Sequence, residues 1–570
     1  MEKLKPKLFS VMKTYSKEQF IKDVISGIVV AIVALPLSIA LAIASGVGPE
    51  QGIYTAIIAG FLISFFGGSR VQIAGPTAAF ATIVAGIALQ ENGMSKLFWA
   101  TIIAGVILIL MGLLKFGSLI KFIPYTITTG FTAGIAVTIA VGQLKDFFGL
   151  TYPEGLVLIE TVEKGEAVIK HFNTFNLQAF LVGMICLAIL IVWPIIWNKL
   201  TKVCENKNKA LKAIVKIFNS IPGSLIAVVA GVLMVKLGGM QVKTIGDLYT
   251  ISNSLPKFQM PVFDFGLIKG IIPDAFTIAI LAAIESLLSC VVADSMVNSK
   301  HRSNMELVAQ GIGNIGSSLF GGIPATGAIA RTAANVKSGG RTPIAGMVHA
   351  VVLLLVLVVL MPYASWIPMP TIAAILIMVA YNMSGWREIV TLLKSAPKSD
   401  ILVLLLTFFL TVIFDLVVAI EVGMVLAAIL FMKRMSDVTD VQSWKYIDDE
   451  NDADHIDLKV VPQHTRVYEL SGPLFFGVAD KIMKISLDNE QKCLVLRMRS
   501  VNAIDATAMR NLDKIRHACR KKGITLILSH VNEQPMNVMK KSGFYDKVGA
   551  DNFCEHIDDA LKRAESLAEK

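Results

Sequence analysis

Charge is scarce in this sequence. Asp, Glu, Lys and Arg make up 17% of the 570 residues, against 54% hydrophobic. Soluble domains carry about 25% charged residues, so an ordinary water-exposed globule of this size is excluded. Cysteine is scarce too. The six cysteines show no C-x-x-C spacing, and Cys186 and Cys290 fall inside apolar runs, so neither a disulfide framework nor a zinc site is supported. The sequence lacks an H-E-x-x-H, a Walker loop and any Ser/His/Asp set, which leaves no basis for an enzyme or for a cofactor or metal. A cleavable leader is not visible, because the first apolar run is long and flows into more of the same.

What is present is apolar sequence in bilayer-sized runs. With a mean hydropathy of +0.64 the chain reads as a polytopic α-helical membrane protein whose partner is the lipid bilayer. The net charge of +10 does not point to nucleic acid, because the lysines cluster between apolar runs rather than along a helix with aromatic partners. Lys3, Lys5, Lys7, Lys13, Lys17 and Lys22 precede the first run, and Lys199, Lys202, Lys207, Lys209, Lys212 and Lys216 fill one later loop. By the positive-inside rule both segments, and so the amino terminus, are expected on the cytoplasmic side of a cell membrane.

After a lead-in at 1–23, the spacing predicts seven apolar segments near 24–45, 52–67, 76–90, 97–115, 121–142, 177–197 and 222–238. A more polar stretch at 239–266 separates them from seven more near 270–293, 305–319, 325–337, 344–361, 370–384, 400–414 and 417–433. Two structurally alike sets with an odd number of segments must lie in opposite orientations, which is the signature of an inverted repeat, here 24–238 and 270–433 of a transport domain at 24–434. Beyond it, 435–460 reads as a polar, acidic linker. The tail at 461–570 reads as a small cytoplasmic α/β domain, with strands at Arg466–Leu470, Cys493–Met498 and Ile524–Leu528 and an amphipathic helix at Thr507–Lys521.

In each set the third segment is short and follows Phe-Gly-Gly plus an extended piece. Phe66-Gly67-Gly68 leads to Gly75-Pro76-Thr77-Ala78-Ala79, and Phe320-Gly321-Gly322 leads to Ala325-Thr326-Gly327-Ala328 and Arg331. Matched interrupted segments mark a transporter's binding site. Helix amino termini offer unpaired N–H groups and about half a positive charge each. Two facing ones would hold an anion without a metal. Thr77 and Thr326 would add hydroxyls, Gly75, Ala78, Ala79, Gly327 and Ala328 would leave room for a ligand at the backbone, and Arg331 would add a full charge. The plainer alternative is that these small residues only pack helices.

Glu285 stands mid-span with Ser289 one turn on, on the same face. Acidic residues at that depth are expensive and functional by default. The pair would couple transport to a proton or to sodium, or Glu285 would serve as a structural partner of Arg331. Gly311-Ile312-Gly313-Asn314-Ile315-Gly316 fits G-x-G-x-x-G, yet it has no preceding strand, so close helix packing is expected. His349 is expected to be a hydrogen-bonded packing residue, and Asp415 and Glu421 to flank a turn.

These residues resemble the SulP family of anion transporters, the sulfate permease family. The resemblance rests on Gly46 to Thr55, Phe66 to Arg70, Gly75 to Ala78, Asn304 through Gly311-Ile312-Gly313-Asn314, Ala325 to Arg331, and Phe414-Asp415-Leu416. It implies fourteen segments in a seven-plus-seven inverted repeat divided into core and gate, with substrate between the third and tenth segments. A carboxy-terminal STAS domain and usually a homodimer are implied as well. Arg331 matches the family's basic position in the tenth segment. Glu285 and Ser289 match the acid and hydroxyl that, as Asp and Thr, bind sodium in bicarbonate carriers. Ala283 to Leu288 is most similar to the bacterial proton-coupled dicarboxylate branch, while Pro36-Leu37 departs from the Pro-Gln of plant and animal sulfate carriers. Asp505-Ala506-Thr507 resembles a loop phosphorylated on its hydroxyl in anti-sigma-factor antagonists, although helix capping by Thr507 is the plainer use. The expectation is a secondary transporter of small inorganic anions such as sulfate or bicarbonate, with a C4-dicarboxylate:proton symporter, an anion channel and a membrane-tethered regulator as alternatives.

Overall fold

The computed structural model describes residues 4–118, 124–153, 158, 160–203, 215, 221–249, 254–261, 265–414, 416–443, 461–476, 485, 487 and 490–568. Most of the basic loop (204–214 and 216–220), much of the acidic stretch (444–460) and Asp415 lie outside them, as does the side chain of Glu421. The chain divides into two compact units, Met1–Met424 and Val425–Lys570.

Among the described residues, fourteen helices correspond to the fourteen expected segments. The first seven are α1 (Lys17–Ala44), α2 (Pro49–Phe66), α3 (Ala78–Ala88), α4 (Gly93–Leu113), α5 (Tyr125–Phe147), α6 (Leu177–Val203) and α7 (Gly223–Lys236). The second seven are α8 (Phe265–Val297), α9 (Ser303–Leu319), α10 (Ile329–Lys337), α11 (Ile344–Ala364), α12 (Met369–Ser384), α13 (Lys398–Ile413) and α14 (Leu416–Val438). Among the described residues, eight helices are long and apolar enough to cross a bilayer, while α3 and α7 are shorter apolar helices. Pro49 opens α2 at a position where its missing N–H costs nothing.

The packing repeats when seven is added to each helix number. The neighbours α1·α2, α1·α3, α1·α10, α4·α8 and α4·α9 have counterparts in α8·α9, α8·α10, α8·α3, α11·α1 and α11·α2. These eight helices form one group. Helices α5, α6, α7, α12 and α13 form a second, in which α5·α13 and α6·α12 are again related pairs. The groups meet mainly on the first repeat's side, through α1 against α7 and α12 and α3 against α5. Glycines allow the close crossings within the first group. A Cβ on Gly311 would meet the carbonyl oxygen of Gly105, and one on Gly313 would lie 2.5 Å from Ile63, so the G-x-G-x-x-G run is a packing surface as expected.

Two expectations about boundaries change. The tenth segment becomes helical only at Ile329, because Thr326–Gly327 is drawn into a strand, β2, paired antiparallel with β1 (Ala74–Gly75). The linker expected from 435 begins later. Helix α14 runs to Val438, and Asp440–Ser443 (β3) pairs antiparallel with β4 (Thr465–Ser471).

In the second unit β4, β5 (Cys493–Ser500), β6 (Thr525–Ser529) and β7 (Phe553–Cys554) continue the sheet in parallel, in the order β3-β4-β5-β6-β7. Helices α15 (Ala506–Lys521), α16 (Glu533–Lys541) and α17 (Ile557–Ala568) accompany it. Its Leu494, Leu496 and Met498 pack with Leu512, Ile515 and Leu528, whereas Val495 and Ile527 pack with Ala560 and Ala564 of α17. The near-continuous apolar run of β5 is what a parallel strand covered on both faces requires. The cap of α15 corrects the sequence reading. Asp505 accepts the Ala508 N–H at 2.8 Å, and Thr507 is exposed on the first turn.

Candidate anion site

The site is assembled by the short β1–β2 pairing, which places Ala74 opposite Gly327 and Gly75 opposite Thr326. Because both strands run directly into helix starts, pairing them brings the first turns of α3 and α10 together. The extended piece before β1 is strapped along α10: Asn335 Nδ2 donates to Val71 O at 2.8 Å, Ile73 N to Thr332 Oγ1 at 3.0 Å, and Ala328 N to Ile73 O at 2.8 Å.

Helix α9 holds both approaches. Its fully buried Glu306 accepts the N–H groups of Gly68 at 2.8 Å and Ser69 at 3.1 Å, as well as Gln310 Nε2 at 2.9 Å. Two turns on, Asn314 accepts Ala325 N–H at 2.8 Å and donates to Ala325 O at 2.9 Å. A buried carboxylate costs several kcal/mol unless its oxygens are satisfied. Here it is held by three donors, two of them backbone.

Arg331 is 2% exposed. Its Nη2 donates to Pro76 O at 3.1 Å, and its Nη1 has no hydrogen-bond partner. Gly75 sits beneath it: a Cβ there would lie 2.5 Å from Nη1. No ion pair joins Arg331 to Glu285 among the described residues, so Glu285 is not serving as its structural partner here. Instead Glu285 Oε2 accepts the Thr77 hydroxyl at 2.9 Å, and both residues are partly exposed. Thr77 stands at the start of α3 but makes no side-chain cap bond.

The other expected residues divide. Ala78 and Ala79 form the first turn of α3, with N–H groups that have no intrahelical acceptor. Thr326 is fully buried, its hydroxyl 3.2 Å from Ala282 O and 2.6 Å from Ser286 Oγ. Gly327 N–H donates to Ser286 Oγ at 3.1 Å. With Ala328 N–H also used, the free N–H groups of the second half begin at Ile329, one turn later than the sequence suggested. Ser289 is buried, and its hydroxyl faces Thr332 Oγ1 at 3.4 Å rather than Glu285. Sequence reasoning passed over Ser286, which anchors β2, and Glu306 and Asn314. A carboxylate two turns before an asparagine in an apolar run was the available signal. His349 is buried as expected, but neither ring nitrogen has a hydrogen-bond partner among the described residues.

Comparison with known proteins now identifies the architecture. Residues 20–407 match the sulfate permease family and residues 455–560 match the STAS domain. YvdB of Bacillus subtilis (strain 168), a protein named for sulfate transport, is 40% identical over 559 residues, covering 96% of this chain and 98% of YvdB. The bicarbonate transporter BicA of Synechocystis sp. (strain PCC 6803) is 31% identical over 95% of this chain and 94% of its own. In structure, the transmembrane domain of a cyanobacterial BicA matches 72% of this chain and 98% of that one at 29% identity with a TM-score of 0.60. Murine Solute Carrier 26 family member A9 in the inward-facing state shares the fold over 99% of this chain and 94% of its own, at 19% identity and a TM-score of 0.85. The chain is therefore a member of the sulfate permease family of anion transporters, with a helical membrane domain followed by a STAS domain, and it is not an enzyme.

Proposed function

We propose that the chain is a secondary active transporter that binds a small inorganic anion, sulfate or bicarbonate, between α3 and α10, and that a proton carried by Glu285 is co-transported. The observation that carries the reading is the buried Arg331 with a free Nη1 beside two helix amino termini. A guanidinium at that depth is costly unless an anion meets it. The two termini add about one further positive charge between them. The names of the relatives support both anions, since YvdB is named for sulfate and BicA for bicarbonate.

The Thr77–Glu285 hydrogen bond supports proton coupling. An ionised Glu285 holds the only hydroxyl proton of Thr77 and sets a negative charge beside the site. Protonated, Glu285 becomes the donor. That frees the Thr77 hydroxyl for the anion and removes the repulsion, so proton and anion bind more tightly together than apart. Ser289, turned to Thr332, gives sodium no second ligand beside Glu285, and this favours the proton.

The decisive experiment is uptake into proteoliposomes across sulfate, bicarbonate, chloride and a C4-dicarboxylate, with proton or sodium gradients imposed. The expected result is uptake of sulfate or bicarbonate that an inward proton gradient drives above the anion's own electrochemical gradient, and that Arg331→Ala abolishes in a folded chain. Uptake that never exceeds that gradient would favour an anion channel over a coupled transporter. The proposal includes a homodimer with the amino terminus and STAS domain in the cytoplasm, tested by light scattering in detergent and by cysteine accessibility from each side.

A further inference from the structure

The run Phe66 to Arg70 supplies an arginine that the anion site does not use. Arg70 follows the Gly68-Ser69 turn held by Glu306, and its Nε is buried without a hydrogen-bond partner. No hydrogen bond or ion pair to its guanidinium occurs among the described residues. It borders a polar pocket of about 290 Å³, lined also by Tyr15, Ser16, Gln19, Arg341 and Thr342.

The pocket wall is built, not incidental. The lead-in helix Lys7–Val11 is tied to the loops beneath it: Lys7 N donates to Gly67 O at 2.8 Å, Lys7 Nζ to Lys300 O at 2.7 Å, and Arg302 to Lys5 O at 2.7 Å and Ser10 Oγ at 2.9 Å. On the far side Arg341 Nη1 donates to Val336 O in the last turn of α10 and to Gly340 O in the loop after it, and no ion pair joins it to a carboxylate among the described residues. Among the described residues no carboxylate lines the pocket, and the fully buried Asp23 lies behind its wall. It is engaged by four donors, namely the Tyr15 and Thr342 hydroxyls, Gln19 Nε2 and Arg341 N–H. Burial and Asp23 push the Tyr15 phenol up to about 12, so it stays a donor to that carboxylate. Two guanidinium charges against one occupied carboxylate leave the pocket positive. Nearby, burial, then Arg302 and Arg70, hold the Lys7 amine below its ordinary value against the opposing pull of Asp294.

We infer that this pocket is a second anion site, separate from the one at Arg331, in which Arg70 and Arg341 bind a small oxyanion with the Ser16 hydroxyl as a further donor. A planar guanidinium fork suits two oxygens of one anion, which a point charge such as chloride does not offer. The pocket is built by the lead-in, α1 and the loops after α2 and α10, all of the first helix group. It therefore moves with the anion site rather than against it.

The test uses the full chain with inorganic sulfate and, separately, inorganic phosphate as probes. Equilibrium binding of labelled sulfate and the sulfate-induced rise in thermal midpoint are read in Arg331→Ala, which removes the transport site. The expected result is that Arg331→Ala still binds about one sulfate per chain, and that adding Arg70→Gln weakens this binding at least about tenfold, the loss of one charge-assisted contact. Arg70→Lys, which keeps the charge and loses the fork, should fall between and serves if the glutamine variant does not fold. Loss of all oxyanion binding in Arg331→Ala, or binding there that neither Arg70 substitution alters, overturns the inference. Failure of the Arg331 site itself would show differently, as Arg331→Ala transporting normally.

Discussion

Thr77 of the first repeat donates its hydroxyl proton to Glu285 of the second, across 208 positions of sequence and 2.9 Å of space. The residue at the start of one half-helix is thus bonded to a membrane-depth carboxylate of the other repeat. Glu285→Gln copies the protonated acid and cannot change charge. At high pH it should bind the anion about as tightly as the wild type does at low pH, while proton-driven accumulation is lost. Uptake by E285Q that an imposed pH gradient still drives to wild-type levels would end the coupling proposal.

Gly75 gives a test of the space beneath Arg331. A Cβ at Gly75 would lie 2.5 Å from Arg331 Nη1, the far end of a flexible side chain. Gly75 also has a φ of 159°, a backbone conformation that side chains rarely adopt, so Gly75→Ala should lower the thermal midpoint and, in the chains that fold, displace the guanidinium, raising KM for the anion about tenfold or more. An unchanged KM would place the anion elsewhere.

Ser286 and Ser289 should part company. Ser286 accepts the Gly327 N–H and meets Thr326, so Ser286→Ala leaves a buried backbone donor unpaired at the start of the second half-site, costing about 1–3 kcal/mol. Ser289 has only a 3.4 Å contact to Thr332, and Ser289→Ala should be much milder. Thermal melts and transport assays of the two variants, run together, check the order.

Asn314 clamps Ala325 by both its N–H and its carbonyl. Asn314→Leu keeps the branched heavy-atom skeleton but removes both bonds. The expected outcome is a destabilisation of about 1–3 kcal/mol or more, with transport lost before unfolding, because the approach to β2 loosens first.

Cys519 offers a check on the STAS unit. It is 1% exposed, and burial pushes its thiol up to about 11. At pH 8 roughly one thiol in a thousand is then ionised, so Cys519 should resist maleimide in the native chain and react only on unfolding. Mass spectrometry of the alkylated protein reads this directly.

The sequence by itself determined the class of molecule and its repeat. Runs of about twenty apolar residues permit little but membrane helices. Phe66-Gly67-Gly68 and Phe320-Gly321-Gly322 marked the two interrupted segments because glycine and small residues are what broken helices need. Arg331 and Glu285 stood out because charge at that depth is expensive. Tertiary structure decided which groups are free. Backbone pairing with Ile73 consumes the N–H of Ala328, Ser286 takes the N–H of Gly327 and meets the Thr326 hydroxyl, and the Ser289 hydroxyl turns to Thr332. No local pattern announces such partners, since each comes from an element dozens to hundreds of residues away. The same holds for Arg70, a loop arginine in the sequence. Its burial beside Arg341 in a pocket walled by the lead-in follows only from how the first helix group closes on itself.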